Sequence, residues 1–227
     1  MVAFASVACY CSALRKQLAA SSEELRRLRR HTAQKLSEDM TAELSELNFA
    51  DAKFQVVVEP HEKPDGKPVF SAEGADRVLF LFNANKGGTP KPLSEVASGG
   101  EISRIALAFK RLTNTAEQVP TIIFDEIDTG ISGYIAQVVA EKLYNISVSR
   151  QVIAVTHLPQ LASMADNHYK IEKKETADKT ITNVKKLDEE GELQEIARLI
   201  GGSTYSEHAL PHAVEMKKHA DAYKNAK

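Results

Sequence analysis

Between Leu14 and Leu47 the chain contains neither Gly nor Pro, and Leu14, Leu18, Leu25 and Leu28 recur at heptad-like spacing. The spacing resumes one residue out of register at Leu36, Met40, Leu44 and Leu47. An apolar seam of this period predicts a long helix of coiled-coil type with a stutter. Downstream the period changes. Lys53 to Glu59 (Lys-Phe-Gln-Val-Val-Val-Glu) and Arg77 to Phe82 (Arg-Val-Leu-Phe-Leu-Phe) read as strands of a hairpin or meander, separated by the turn-rich Pro64-Asp65-Gly66. A Gly- and Pro-rich link from Gly87 to Pro92 leads to Ser98-Gly99-Gly100-Glu101. Ile102, Ile105, Phe109 and Leu112 then fall at i, i+3, i+7 and i+10, so a helix opens at Ser-Gly-Gly.

Thr121 to Phe124 reads as a strand, Ile135, Val138, Val139, Leu143 and Ile146 mark one face of a helix, and Gln151 to Val155 reads as a second strand. This is a βαβ unit, the signature of an α/β fold. Tyr169 to Lys174 and Thr180 to Leu187 predict a further hairpin, and Leu193 to Ile200 a short helix ended by Gly201-Gly202. The tail from Glu207 reads as helical, with Pro211 in its first turn.

A hydrophobic content of 43% over 227 residues is enough for one sizeable core. Lys and Arg total 29 against 31 for Asp and Glu, so nothing global argues for a nucleic-acid or membrane surface of the strongly basic kind and any such role must be local. One local candidate is the first half of the long helix. There Arg15, Lys16, Arg26, Arg27, Arg29 and Arg30 face only Glu23 and Glu24, which suits either a solvated coiled-coil face or DNA phosphates. The two cysteines, Cys9 and Cys11, stand too close to staple a fold and lack companions for a zinc site, which fits a reducing, cytoplasmic setting. The apolar run Met1 to Leu14 has no basic residue before it and stops at Arg15 and Lys16, the wrong polarity for a signal peptide. It is also too short to span a membrane, so a soluble protein is expected.

Thr121-Ile122-Ile123-Phe124-Asp125-Glu126 is an apolar strand ending in two acids. In a buried parallel strand such acids fall at the carboxyl end, where α/β sheets hold ligands. Asp125 can hold a hydrated Mg²⁺ at a nucleotide phosphate, and Glu126 can orient or deprotonate an attacking water. Alone, the pair also reads as two solvent-facing acids at a strand-to-turn junction. A right-handed βαβ crossover brings Thr156 and His157 to the same sheet edge, where a histidine can donate to a phosphate oxygen. Ser98-Gly99-Gly100-Glu101 supplies backbone N–H groups at a helix start, with glycines for close approach, an arrangement that suits an anion but also describes an ordinary Ser N-cap.

In this order the three elements resemble the second half of an ABC-type ATPase head: signature loop, Walker B strand, aspartate loop at Asp128 and switch histidine. Val96-Ala97-Ser98-Gly99-Gly100-Glu101-Ile102-Ser103-Arg104, Phe124-Asp125-Glu126-Ile127-Asp128-Thr129-Gly130-Ile131-Ser132-Gly133, Val155-Thr156-His157-Leu158-Pro159-Gln160 and Ala197-Arg198-Leu199-Ile200-Gly201-Gly202 are similar to the bacterial RecN family of SMC-like DNA repair ATPases. The resemblance runs from about Leu14 onward. It implies the C-terminal half of an ABC-type head, a mostly parallel sheet flanked by helices with β-hairpins, preceded by a coiled-coil helix. Residues 1–47 are then the end of the coiled-coil arm and 48–227 the C-terminal lobe. It implies ATP and Mg²⁺ as cofactors, a second head of the same protein as homodimer partner, and DNA double-strand breaks as the site of repair and recombination, in the cytoplasm at the nucleoid. Carried over residue by residue, it implies Asp125 as the Mg²⁺ residue through water and Glu126 and His157 as catalytic. Ser98, Gly99, Gly100, Glu101 and Asp128 are implied as nucleotide-binding, with Ser98 and Gly100 serving the opposite head. Ala97 and Glu101 depart from the Leu-Ser-Gly-Gly-Gln of membrane transporters and favour the chromosome-associated branch.

One departure bears on activity. The family begins with Gly-x-x-x-x-Gly-Lys-[Ser/Thr], whereas the only Gly-Lys pair here is Gly66-Lys67, with His61 at the first glycine position and Pro68 after it. The chain alone is therefore expected to be inactive, its N-terminal half-head being a further partner. The competing readings are a non-hydrolysing head fragment acting as an interaction module and the head of another SMC-type chromosome protein. His208, His212 and His219 have helical spacing for a metal face, but Pro211 intervenes and no acid stands at the metalloprotease position. Lys170, Lys173, Lys174, Lys179, Lys185 and Lys186 on the late hairpin either touch DNA backbone or simply solubilise it.

Overall fold

The computed structural model describes residues 2–95, 98–113, 119–175, 180–202 and 207–226, with only the backbone described for 2–9, 174, 175 and 207. Val96 and Ala97 of the signature segment and Lys179 of the hairpin lie outside the described residues, as do the side chains of Cys9 and Lys174. The chain divides into two compact units.

The first unit begins with helix α1 (Val2–Glu46), which starts well before Leu14 because the Ala-rich opening run is itself helix-forming and free of Gly and Pro. Asn48, at φ 70°, ends it in the left-handed conformation that Asn tolerates. Strands β1 (Lys53–Pro60), β2 (Asp76–Asn83) and β3 (Lys91–Pro92) follow in an antiparallel sheet of order β1-β2-β3, with Val56 opposite Phe80. The outer edge of β1 is closed by α1: the N–H groups of Phe54 and Val56 donate to Thr41 Oγ1 (3.3 Å) and Ser37 Oγ (2.9 Å). Each hydroxyl donates in turn to the carbonyl four residues back on the helix. Two polar residues beside the seam thus satisfy an edge strand that would otherwise template pairing. Arg26 and Arg29 fasten the same helix to Asp76 at the start of β2, at 2.6 and 3.2 Å. Met40, Leu44 and Phe54 are fully buried, whereas Leu14, Leu18 and Leu28 are about half exposed. The seam is therefore most exposed at Leu14 and Leu18, whereas Leu25 packs beside Gly74.

The second unit runs α2 (Gly99–Leu112), β4 (Thr121–Phe124), α3 (Gly133–Ser147), β5 (Gln151–Ala154), α4 (Pro159–Ser163), β6 (Tyr169–Glu175), β7 (Thr180–Lys186), α5 (Glu189–Gly201) and α6 (Leu210–Asn225). Strands β4 and β5 pair in parallel, Phe124 opposite Ala154, and the Val155 N–H donates to the Phe124 carbonyl at 3.0 Å. The ends that carry Asp125 and His157 therefore lie side by side, as the βαβ reading expects. One face of this sheet is covered, with Ile122 and Phe124 buried; the other leaves Ile123 (67%), Ile153 and Val155 exposed, unlike the two-sided burial usual for parallel strands. Strands β6 and β7 form an antiparallel hairpin. Helices α4, α5 and α6 enclose a small core of Ala162, Ile196, Ala197 and Ala213. Helix α5 begins at Glu189, four residues before the first periodic leucine, because Asp188 caps it by accepting from the Gly191 N–H at 2.9 Å. No helix among the described residues is long and apolar enough to cross a membrane.

Candidate functional site

Helix α2 opens at Ser98, whose extended backbone and inward hydroxyl make it the N-cap; Oγ accepts from the Glu101 N–H at 3.5 Å. The first N–H groups of any helix lack intrahelical acceptors, so the start of α2 is a polarised, donor-rich end. Three residues on one face of this helix grip the turn that follows β4. Gly100 is buried against Thr129: a β-carbon on it would stand 2.9 Å from the Thr129 Cβ and carbonyl. The Ser103 hydroxyl donates to the Asp125 carbonyl at 2.8 Å, and the Arg104 guanidinium donates to the Thr129 carbonyl at 2.6 Å. Burial pushes the Arg104 guanidinium below its ordinary value, an effect that Glu101 partly offsets.

The turn itself is unusual. Glu126 adopts φ 58°, a left-handed conformation rare outside Gly and Asn, and Gly130 follows at φ 74°. The Glu126 N–H is held by Asp125 Oδ1 at 3.0 Å, and the Glu126 carbonyl accepts from Thr129 at 3.1 Å. This reversal points the two acids outward to solvent and buries Ile127 and Asp128. The Glu126 carboxylate lies over Gly99, where only a glycine leaves room.

Asp128 is 3% exposed, and three groups of the loop after β5 approach its Oδ2, the first two as hydrogen-bond donors. They are the Thr156 hydroxyl at 2.6 Å, the His157 N–H at 2.8 Å and His157 Nδ1 at 3.0 Å. Thr156 Oγ1 accepts in turn from the Leu158 N–H at 3.0 Å. The His157 ring is otherwise in solvent, its side chain 71% exposed.

The start of α2, the Asp125–Glu126 turn and the His157 loop are thus joined by direct contacts. Asp128 directs its carboxylate to Thr156 and His157. Ser103, Arg104 and Thr156 received no role from the sequence, although Gly100, Ser103 and Arg104 fall at i, i+3 and i+4, the spacing of a shared helix face. Asp125 is exposed with Oδ2 directed away from its backbone bond, and no group of three His, Cys, Asp or Glu among the described residues could hold an ion alone. That donor set suits Mg²⁺, which keeps its waters and binds through one carboxylate plus substrate phosphates.

Elsewhere, His208, His212 and His219 are exposed, and His212 faces Glu215 at 3.7 Å. On the hairpin, Lys170 is engaged by Glu172 and Glu195, both at 3.1 Å, while Lys173, Lys185 and Lys186 are exposed.

No family model matches the chain. It is 42% identical over 203 residues to the DNA repair protein RecN of Halalkalibacterium halodurans, covering 89% of this chain and 36% of that protein. To the DNA repair protein RecN of Bacillus subtilis it is 39% identical over 218 residues, covering 92% and 38%. The chain therefore spans little more than a third of the length of these curated relatives. Its fold is similar to the Smc head domain with a coiled coil and joint from Pyrococcus yayanosii, at a TM-score of 0.57 and 17% identity over 84% of this chain and 34% of that one.

Proposed function

We propose that this chain, similar to the RecN DNA repair proteins over about nine-tenths of its length and in fold to an Smc head domain, supplies one lobe of an ATP-hydrolysing head acting in DNA repair. The observation that supports this reading most is the convergence of a donor-rich helix start, an outward acid pair and a histidine held by a buried carboxylate. Asp125 would hold a hydrated Mg²⁺, which would supply charge neutralisation to bound nucleotide phosphates. Glu126 orients and deprotonates the attacking water. His157 extends its ring toward the terminal phosphate. Ser98, Gly99, Gly100 and Glu101 present the start of α2 to the nucleotide of a second, identical head, so that hydrolysis is tied to head pairing.

The 227 residues contain no Gly-x-x-x-x-Gly-Lys-[Ser/Thr], so the phosphate cradle comes from a polypeptide segment outside them. On this reading the head works at DNA double-strand breaks during recombination, in the cytoplasm at the nucleoid. For these residues alone, a non-hydrolysing interaction module is the second reading, favoured by the missing cradle and the exposed apolar face of Ile123, Ile153 and Val155. ATP turnover distinguishes the two. The isolated chain should hydrolyse none, and joining it to a Walker A half-head should produce turnover stimulated by broken DNA. Absence of turnover in the joined protein, with both halves folded, would leave only the interaction module.

A further inference from the structure

Asp128 is a carboxylate buried inside a turn whose other acids face solvent, and it is bonded by the loop after β5. Two donors, the Thr156 hydroxyl and the His157 N–H, share one of its oxygens, and His157 Nδ1 stands 3.0 Å from the same oxygen. An ionised carboxylate can only accept hydrogen bonds. A bare Nδ1 lone pair 3.0 Å from that oxygen would be repelled by it, so the contact favours a proton on Nδ1 and leaves Nε2 as the ring nitrogen farther from Asp128. The Thr156 hydroxyl completes the clamp, since it donates to Asp128 while accepting from the Leu158 N–H and so fixes the loop's entry into α4.

We propose that Asp128 is a positioning residue for His157 rather than a nucleotide ligand: it sets the imidazole tautomer and aims Nε2 at the reacting phosphate. The proposal rests on the ATPase reading above and deepens it. A ring held in this way can give a proton from Nε2 to an anionic oxygen only when both ring nitrogens carry hydrogen, and then Asp128 supplies the balancing charge. Asp128 also connects the site to α2, because its turn is the segment that Ser103 and Arg104 hold by the carbonyls of Asp125 and Thr129.

The wild-type chain itself provides the first test. Ring ¹⁵N shifts of His157, read by long-range ¹H–¹⁵N correlation at mildly alkaline pH, should report the proton on Nδ1; a ring protonated on Nε2 overturns the proposal whether or not the protein is an ATPase. The second test uses Asp128→Asn and Thr156→Val in the full-length protein, each checked for folding by circular dichroism. Both variants should lower kcat, Asp128→Asn by ~10-fold or more, the scale on which orienting partners act, with the KM for ATP little changed. A raised KM with kcat preserved would instead make Asp128 a nucleotide contact. Thr156→Ser, which keeps the hydroxyl, should restore the rate lost in Thr156→Val, and failure of that rescue counts against the clamp. Should Glu126→Gln leave turnover intact, the ATPase roles fall while the Nδ1 tautomer still decides the structural half of the claim.

Discussion

The carboxylate of Glu126 lies over Gly99, in space that the β-carbon of any other residue would enter. The neighbouring Gly100 meets different material, the backbone carbonyls of Thr129 and Glu126 at 2.9 and 3.2 Å from a built β-carbon. A carboxylate at the end of a flexible side chain can move, whereas a backbone turn cannot without strain.

The two glycines should therefore fail differently when replaced. Gly99→Ala should keep the fold and its thermal midpoint while displacing Glu126, so that turnover falls in the full-length protein. Gly100→Ala should lower unfolding stability by about 1–3 kcal/mol, the usual cost of forcing an extra carbon into a packed contact. Denaturant unfolding and turnover measured on both variants check this; equal loss of stability in the two would contradict it.

Asp76 accepts from Arg26 and Arg29 with its side chain wholly buried. Burial alone would raise its pKa, but the two arginine hydrogen bonds and their charges outweigh it and hold the carboxyl below the usual range. A carboxyl depressed in the folded state stabilises that state above its unfolded pKa of about 4, and the contribution is lost as pH falls through the lowered folded value. Asp76→Asn should cost about 2 kcal/mol near neutrality, the scale of charge-assisted hydrogen bonds, and should flatten the acid limb of stability. Chemical unfolding across acid pH reads both effects, and an unchanged acid limb would refute the assignment.

His168 gives a second pH dependence, in the other unit. Burial lowers its pKa, with Glu192 and Glu195 opposing and Lys217 adding to the shift, and its Nδ1 is buried without a hydrogen-bond partner among the described residues. The unfolded chain takes up this proton near pH 6.5 while the folded chain resists it. The neutral ring's contribution is therefore complete above about 6.5 and is lost as pH falls toward the lowered value. His168→Leu should remove that slope, and unfolding midpoints at stepped pH will show whether it does.

Strands β1 and β2 were legible almost to the residue because alternation and turn residues agree there, and α2 was legible from its apolar period. The start of α5 was not, since Glu189-Glu190-Gly191-Glu192 offers no apolar residue; the signal was instead Asp188 as cap and acids at a helix start. The motif residues could be named from their order, and β4 beside β5 follows from the short crossover. Which acid turns inward could not. The positive φ of Glu126 sends its own side chain and that of Asp125 outward and buries Asp128, and a run of Asp-Glu-Ile-Asp carries no mark of that reversal. The bare face of Ile123 and Ile153 was equally hidden, because an apolar strand reads the same whether one face or two are covered.

The proposed head depends on a division of labour in which Asp125 holds the metal and Glu126 activates the water. Its most direct measurement is nucleotide affinity and single-turnover ATP hydrolysis in the full-length protein carrying Glu126→Gln or Asp125→Asn. Glu126→Gln keeps the side chain's shape but removes the base, so Mg²⁺-dependent ATP binding should survive while hydrolysis falls by ~10²-fold or more. Asp125→Asn should weaken Mg²⁺-dependent binding itself. A Glu126→Gln protein that binds and hydrolyses ATP at the unaltered rate would contradict that division of labour.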